Sequence, residues 1–122
     1  MTYKIALVDD DEAVRDSLGE LLEAAGYIVT TFSTCSDFLR HLDEESPDAL
    51  VLDHQLLGMT GLQLAERLKA DQRQPPVVMI SGNMSEPIRV RAIKAGVRKV
   101  LQKPFSEREL LEALNAIMHR PD

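Results

Sequence analysis

Five short apolar runs recur along the chain, and after each of them the apolar residues space out to every third or fourth position. The first, Lys4–Val8, stops on Asp9-Asp10-Asp11, the pattern of a buried strand emptying into an acidic loop. Val14, Leu18, Leu21, Leu22 and Ala25 then keep a helical period, with Asp11 and Glu12 suited to the first turn and Gly26 to the position just past the end. Residues 27–31 read as a second strand. Thr34-x-x-Asp37 resembles a capping box, and Cys35, Phe38, Leu39 and Leu42 form the apolar stripe of a second helix. A third strand at 49–52 again halts on a carboxylate, Asp53, before a loop through Gly58 and Gly61 into a helix bearing Leu62, Ala65 and Leu68. Pro75-Pro76 introduces a strand at 77–80 that ends in Ser81-Gly82-Asn83, and a helix over about 85–95 follows, with Gly96 after it. A fifth strand at 97–101 reaches Lys103-Pro104, and Ser106-x-x-Glu109 opens a last helix over Leu110, Leu114 and Ile117.

Strands that lack clean alternation and are each followed by a helix imply a parallel sheet covered on both faces, and right-handed crossovers fix its winding. The expected fold class is therefore α/β, a flavodoxin-like doubly wound (βα)5 with strand order 2-1-3-4-5. In that order the ligand crevice lies at the carboxyl ends of strands 1 and 3, where the acids cluster. No linker, repeat or low-complexity stretch interrupts the pattern, so residues 1–122 read as a single domain.

Composition narrows the possibilities. A chain of 122 residues buries roughly two-thirds of its unfolded surface and needs neither disulfide nor structural metal to hold together. Cys35 is the only cysteine, which excludes an internal disulfide and fits a reducing compartment. No apolar run nears the roughly 18 residues of a membrane span and the start lacks a signal-peptide pattern, so a cytoplasmic location is expected. The net charge of -6 is unevenly spread: residues 1–60 carry 13 acidic and 3 basic side chains, and residues 61–122 carry 7 acidic and 11 basic. Arg89, Arg91, Lys94, Arg98, Lys99 and Lys103 fall in a stretch with no acid. With no Trp and no basic stripe interleaved with aromatics, direct nucleic-acid binding is a poor fit; the basic stretch is a solvated face or docks an acidic partner.

Asp9, Asp10 and Asp53 end the two strands that flank the crevice, so their carboxylates should meet within a few ångströms. Such a group repels itself and raises its own pKa values unless a cation intervenes, and oxygen-only ligands favour a hard ion such as Mg²⁺. Ser81 and Lys103 end strands 4 and 5 at the same rim. A metal and a lysine would neutralise a dianionic phosphoryl group near Asp53, with the Ser81 hydroxyl on one of its oxygens and Asp53 as nucleophile.

Taken together, Leu7-Val8-Asp9-Asp10, Val51-Leu52-Asp53 with Gly58-Met59-Thr60-Gly61 after it, Ile80-Ser81-Gly82 and Gln102-Lys103-Pro104-Phe105 resemble the receiver (REC) domain of bacterial two-component response regulators. The resemblance covers essentially the whole chain. It implies Asp53 as phosphoacceptor, Asp9 and Asp10 with Asp53 as Mg²⁺ acids, the backbone carbonyl of Gln55 as a further metal ligand, Ser81 as the switch hydroxyl and Lys103 as the phosphate-binding lysine. It also implies a cis Lys103-Pro104 peptide, a histidine kinase as phosphodonor, self-catalysed phosphorylation and dephosphorylation in place of conventional turnover, and an output surface on the fourth helix, fifth strand and fifth helix. That surface coincides with the basic stretch and is suited to an effector or a second copy in transcription regulation.

The chain departs from the family's pattern in two places. Leu56-Leu57 stand where Met-Pro is common, and Val100 stands where an aromatic ring usually accompanies movement of the switch hydroxyl. Val100 motivates a rival reading, a phosphorylation-independent protein-binding module of the same fold. A small-molecule phosphatase is disfavoured because Gln55 occupies the position where a general acid would be needed. By the resemblance, His54 and Asn83 sit where side chains tune the access of water to the phosphoryl group; from the residues themselves each reads as an ordinary polar loop residue.

Overall fold

The computed structural model describes residues 2–118. Its elements run β1 (Lys4–Val8), α1 (Glu12–Ala24), β2 (Ile28–Phe32), α2 (Cys35–Leu42), β3 (Ala49–Asp53), α3 (Gly61–Ala70), β4 (Val77–Ser81), α4 (Glu86–Lys94), β5 (Lys99–Gln102) and α5 (Glu107–Met118). The strands form one parallel sheet in the order β2-β1-β3-β4-β5, as expected. That order turns the uneven charge along the chain into an uneven charge across the molecule, because the acidic first half supplies β2, β1 and β3 and the basic stretch supplies α4 and the β5 edge.

The continuous apolar character of the inner strands has a direct cause: both sheet faces are covered. Successive residues point to opposite sides. Ala6, Val8, Leu50, Leu52, Val77 and Met79 join Phe38 of α2 and Leu64 and Leu68 of α3 in one core, while Ile5, Leu7, Val51, Val78 and Ile80 join Leu22 of α1 and Leu110 and Leu114 of α5 in the other. β3 and β4 are buried along their whole length. The edge strands β2 and β5 expose residues along their length, whereas β1 exposes Lys4 at its start alone.

Two strand starts fall later than the apolar pattern predicts, for one reason. At the end of α1 the N–H of Tyr27 donates to the Leu22 carbonyl at 3.1 Å and that of Gly26 to Glu23 at 3.0 Å; at the end of α4, Val97 donates to Ala92 and Gly96 to Ile93, both at 3.0 Å. These are Schellman closures, made possible by the positive φ of Gly26 (100°) and Gly96 (94°). They commit the N–H of Tyr27 and of Val97 to the preceding helix. β2 therefore begins at Ile28, and β5 shortens to Lys99–Gln102. The predicted caps hold at Thr34, whose hydroxyl accepts from Asp37 N–H at 3.1 Å, and at Ser106, which exchanges hydrogen bonds with Glu109. A further reciprocal box, Thr60 with Gln63, opens α3.

Candidate functional site

The carboxyl ends of β1 and β3 lie side by side, Val8 opposite Leu52, so the next residues of each chain segment meet at one rim. Asp9, Asp10 and Asp53 each bring a carboxylate oxygen to within 4.8 Å of the others. Asp9 is fully buried and Asp53 is 4 % exposed, whereas Asp10 faces solvent. Asp9 is fixed from several sides: its N–H donates to Phe32 O at 3.1 Å, its Oδ1 accepts from Asp11 N–H at 2.9 Å, and its carbonyl accepts from Arg15 Nη1 at 2.8 Å. Its other carboxylate oxygen, Oδ2, is buried without a partner among the described residues.

That arrangement raises the Asp9 pKa from its ordinary 3.8 to about 6. Burial is the largest cause, the Asp11 N–H works against it, the neighbouring Asp53 adds to it, and Lys103 subtracts. Repulsion among the acids, expected from the sequence as the main influence, is thus second to desolvation.

Asp53 is held by two donors, Gln55 N–H on Oδ1 at 2.9 Å and Lys103 Nζ on Oδ2 at 3.3 Å. The loop after it turns back closely, with Gly61 N–H donating to His54 O at 3.0 Å. A Cβ at position 61 would lie 2.4 Å from the Asp53 carbonyl oxygen, so only glycine allows α3 to start this near the site. Ser81 is fully buried at the end of β4, opposite Gln102, and its hydroxyl accepts from Asn83 N–H at 3.2 Å. Lys103 N–H donates to the Ser81 carbonyl at 2.8 Å, which ties the lysine to the same rim. The Lys103-Pro104 peptide is cis.

Every candidate residue is therefore at the rim: Asp9, Asp10, Asp53 and Lys103 by side chain, Gln55 by its backbone, and Ser81 beside them. Val100 is half-buried against the core under α2, α3 and α4. His54 Nδ1 is buried without a partner among the described residues. Arg15 was not singled out in the sequence; its position in the first turns of α1, just after the acids, was the available signal. An all-oxygen donor set with an unsatisfied buried carboxylate oxygen fits a hard divalent cation.

The fold and rim define a doubly wound α/β domain with an acidic pocket at its topological switch point. The response regulator receiver domain family matches residues 5–115, and the chain belongs to it: this is a receiver domain of two-component response regulators. It is 39% identical over 114 residues to the response regulator protein TodT of Pseudomonas putida, covering 93% of this chain and 50% of TodT. It is 36% identical over 124 residues to the transcriptional regulatory protein FixJ of Bradyrhizobium diazoefficiens, covering 100% of this chain and 60% of FixJ. Among solved structures, a response regulator receiver domain protein from Methanospirillum hungatei superposes with a TM-score of 0.90 at 29% identity, covering 97% of this chain and 94% of that one. The chain spans about half the length of the curated relatives it matches. Receiver domains generally bind Mg²⁺ at such an acidic pocket. Among the described residues, no helix is long and apolar enough to cross a membrane.

Proposed function

We propose that Asp53 is the phosphoacceptor and that a histidine kinase is the donor. The observation that carries this reading is the position of the Asp53 carboxylate, nearly buried, bonded by Lys103 at 3.3 Å and beside two further acids. An Asp53 oxygen attacks the phosphorus of a phosphohistidine, the P–N bond breaks, the imidazole leaves with a proton, and an acyl phosphate forms. Lys103 neutralises charge on the transferred group, and the Ser81 hydroxyl, whose oxygen accepts from Asn83 N–H, donates its O–H to a phosphoryl oxygen. Asp9, Asp10, Asp53 and the Gln55 carbonyl would hold Mg²⁺, which supplies positive charge to the phosphoryl oxygens. Slow hydrolysis of the acyl phosphate returns the domain to its starting state.

The added charge of about -1.5 to -2 biases the domain between two shapes. Movement of Ser81 passes to α4, β5 and α5, whose basic side chains meet an effector or a second copy; control of transcription through an effector follows from the character of the relatives. The assembled acids and Lys103 favour this reading over a phosphorylation-independent module, which has no use for them. Incubation with acetyl phosphate and Mg²⁺ is expected to add one phosphoryl group to the intact mass, and Asp53→Asn to abolish the gain. A wild-type chain that gains nothing, even from a matched kinase, overturns the proposal.

A further inference from the structure

The β3–α3 loop is tied to the acidic rim by a bond that the chemistry of the site does not require. Leu57 N–H donates to Asp10 Oδ2 at 3.3 Å, across 47 residues of sequence. On either side of the tip, Leu56 is buried in the core and Met59 packs against it, but the tip itself has few ties. Leu57 is 88 % exposed, Gly58 next to it has a φ of 79°, and among the described residues the further hydrogen bond to the tip from outside the loop is that of the Cys35 thiol to the Met59 carbonyl at 3.5 Å. Asp10 for its part is the exposed member of the acid group, its carboxylate shared between the loop amide and the pocket, where one of its oxygens lies within 4.8 Å of those of Asp9 and Asp53, while Asp9 and Asp53 are fixed by burial and by their own donors.

We infer that the Leu57 N–H is a latch on Asp10 that a divalent cation releases, so that metal occupancy trades the tie at Leu57 for the one the cation would make to the Gln55 carbonyl two residues earlier. The inference rests on the metal assignment made above. A carboxylate that turns toward a cation shared with Asp9 and Asp53 gives up a long, solvent-exposed bond to a backbone amide first, because the cation offers the stronger attraction. The bond is part of the backbone, so the leucine side chain contributes nothing to it. Only a residue without an N–H removes it.

The test is a Mg²⁺ titration of the full chain labelled with ¹⁵N, with amide hydrogen exchange read at Leu57 and metal affinity measured in parallel. Exchange at Leu57 is expected to speed up as Mg²⁺ saturates the wild type. Leu57→Pro, which lacks the donor, is expected to bind Mg²⁺ about two- to fivefold more tightly, the size of one modest hydrogen bond no longer in competition. Leu57→Ala keeps the N–H and is expected to match the wild type in both measurements. If Mg²⁺ binds but Leu57 exchange stays constant or slows, or if Leu57→Pro binds no more tightly than Leu57→Ala, the latch is overturned and the metal site stands. If Mg²⁺ does not bind the wild type at all, both fall.

Discussion

Helices α3 and α4 lie side by side on the same sheet face and are held in opposite ways. α3 buries Gly61, Leu62, Leu64, Ala65 and Leu68, half of its length, and begins in backbone contact with Asp53. α4 buries only Ala92 and leaves Val90 and Ile93 largely exposed. Polar ties add to the small buried contacts of Ala92 and Ala95 at its C-terminal end: Gln74 Nε2 donates to Ala65 O at 2.9 Å and to Ala95 O at 2.7 Å, Lys69 Nζ donates to Lys94 O at 2.6 Å, and Arg91 pairs with Glu66 at 3.2 Å. The helix that supports the proposed phosphoacceptor is packed, and the helix proposed to report on it is tethered. Few buried apolar contacts are the mark of a segment that moves at low cost.

The contrast can be broken at its strong end first. Leu68→Ala, in the fully buried stripe of α3, is expected to cost about 3 kcal/mol of stability by urea unfolding. A loss under 1 kcal/mol would mean that α3 is no better packed than its neighbour. Desolvation at the rim acts with the opposite sign. The raised Asp9 pKa means the folded chain binds a proton more readily than the unfolded one, so this contribution to stability is present below about pH 4 and is lost as pH rises through about 6. Asp9→Asn is therefore expected to stabilise the metal-free domain by about 1–2 kcal/mol at pH 7.5, allowing for the offsetting Lys103 charge, and to flatten that part of the stability profile. Thermal melts across pH in the presence of a chelator check both.

Gln74→Leu removes two bonds from the bracket between α3 and α4 and is expected to cost about 1 kcal/mol, with faster amide exchange at the end of α4 and little change in α3. Smallest of all, Ile93→Ala on the open side of α4 is expected to shift stability by less than about 0.5 kcal/mol. A larger loss would show that Ile93 is covered in solution.

Much of this was legible in the chain because its signals are local. Apolar runs stopping on Asp9, Asp53 and Ser81 or leading to Lys103 placed the rim, since a parallel sheet brings the carboxyl ends of its strands together whatever the loops do, and the order 2-1-3-4-5 came from the favoured winding of a five-stranded doubly wound sheet. The strand starts at Tyr27 and Val97 misled because their side chains are apolar while their N–H groups serve the preceding helix, and a pattern of side chains carries no record of the backbone. The box formed by Thr60 and Gln63 is also present in the sequence, but Gly58 and Gly61 on either side of Thr60 carry a loop signal that masks it. The Gln74 bracket and the contact of Arg15 with the Asp9 carbonyl depend on tertiary placement of long polar side chains, which no periodicity encodes. Asp9 and Asp10 are chemically the same residue in sequence; only the fold makes one buried and the other free to turn.

The strand order that sets acidic segments on one flank and basic ones on the other gives the domain an electrical orientation. A charged macromolecule drifting toward it experiences a torque before any surfaces touch, and arrives more often facing the correct way. Such guidance fades over about 10 Å at 0.1 M salt, so ionic strength should govern how quickly complexes form and leave their lifetimes almost unchanged.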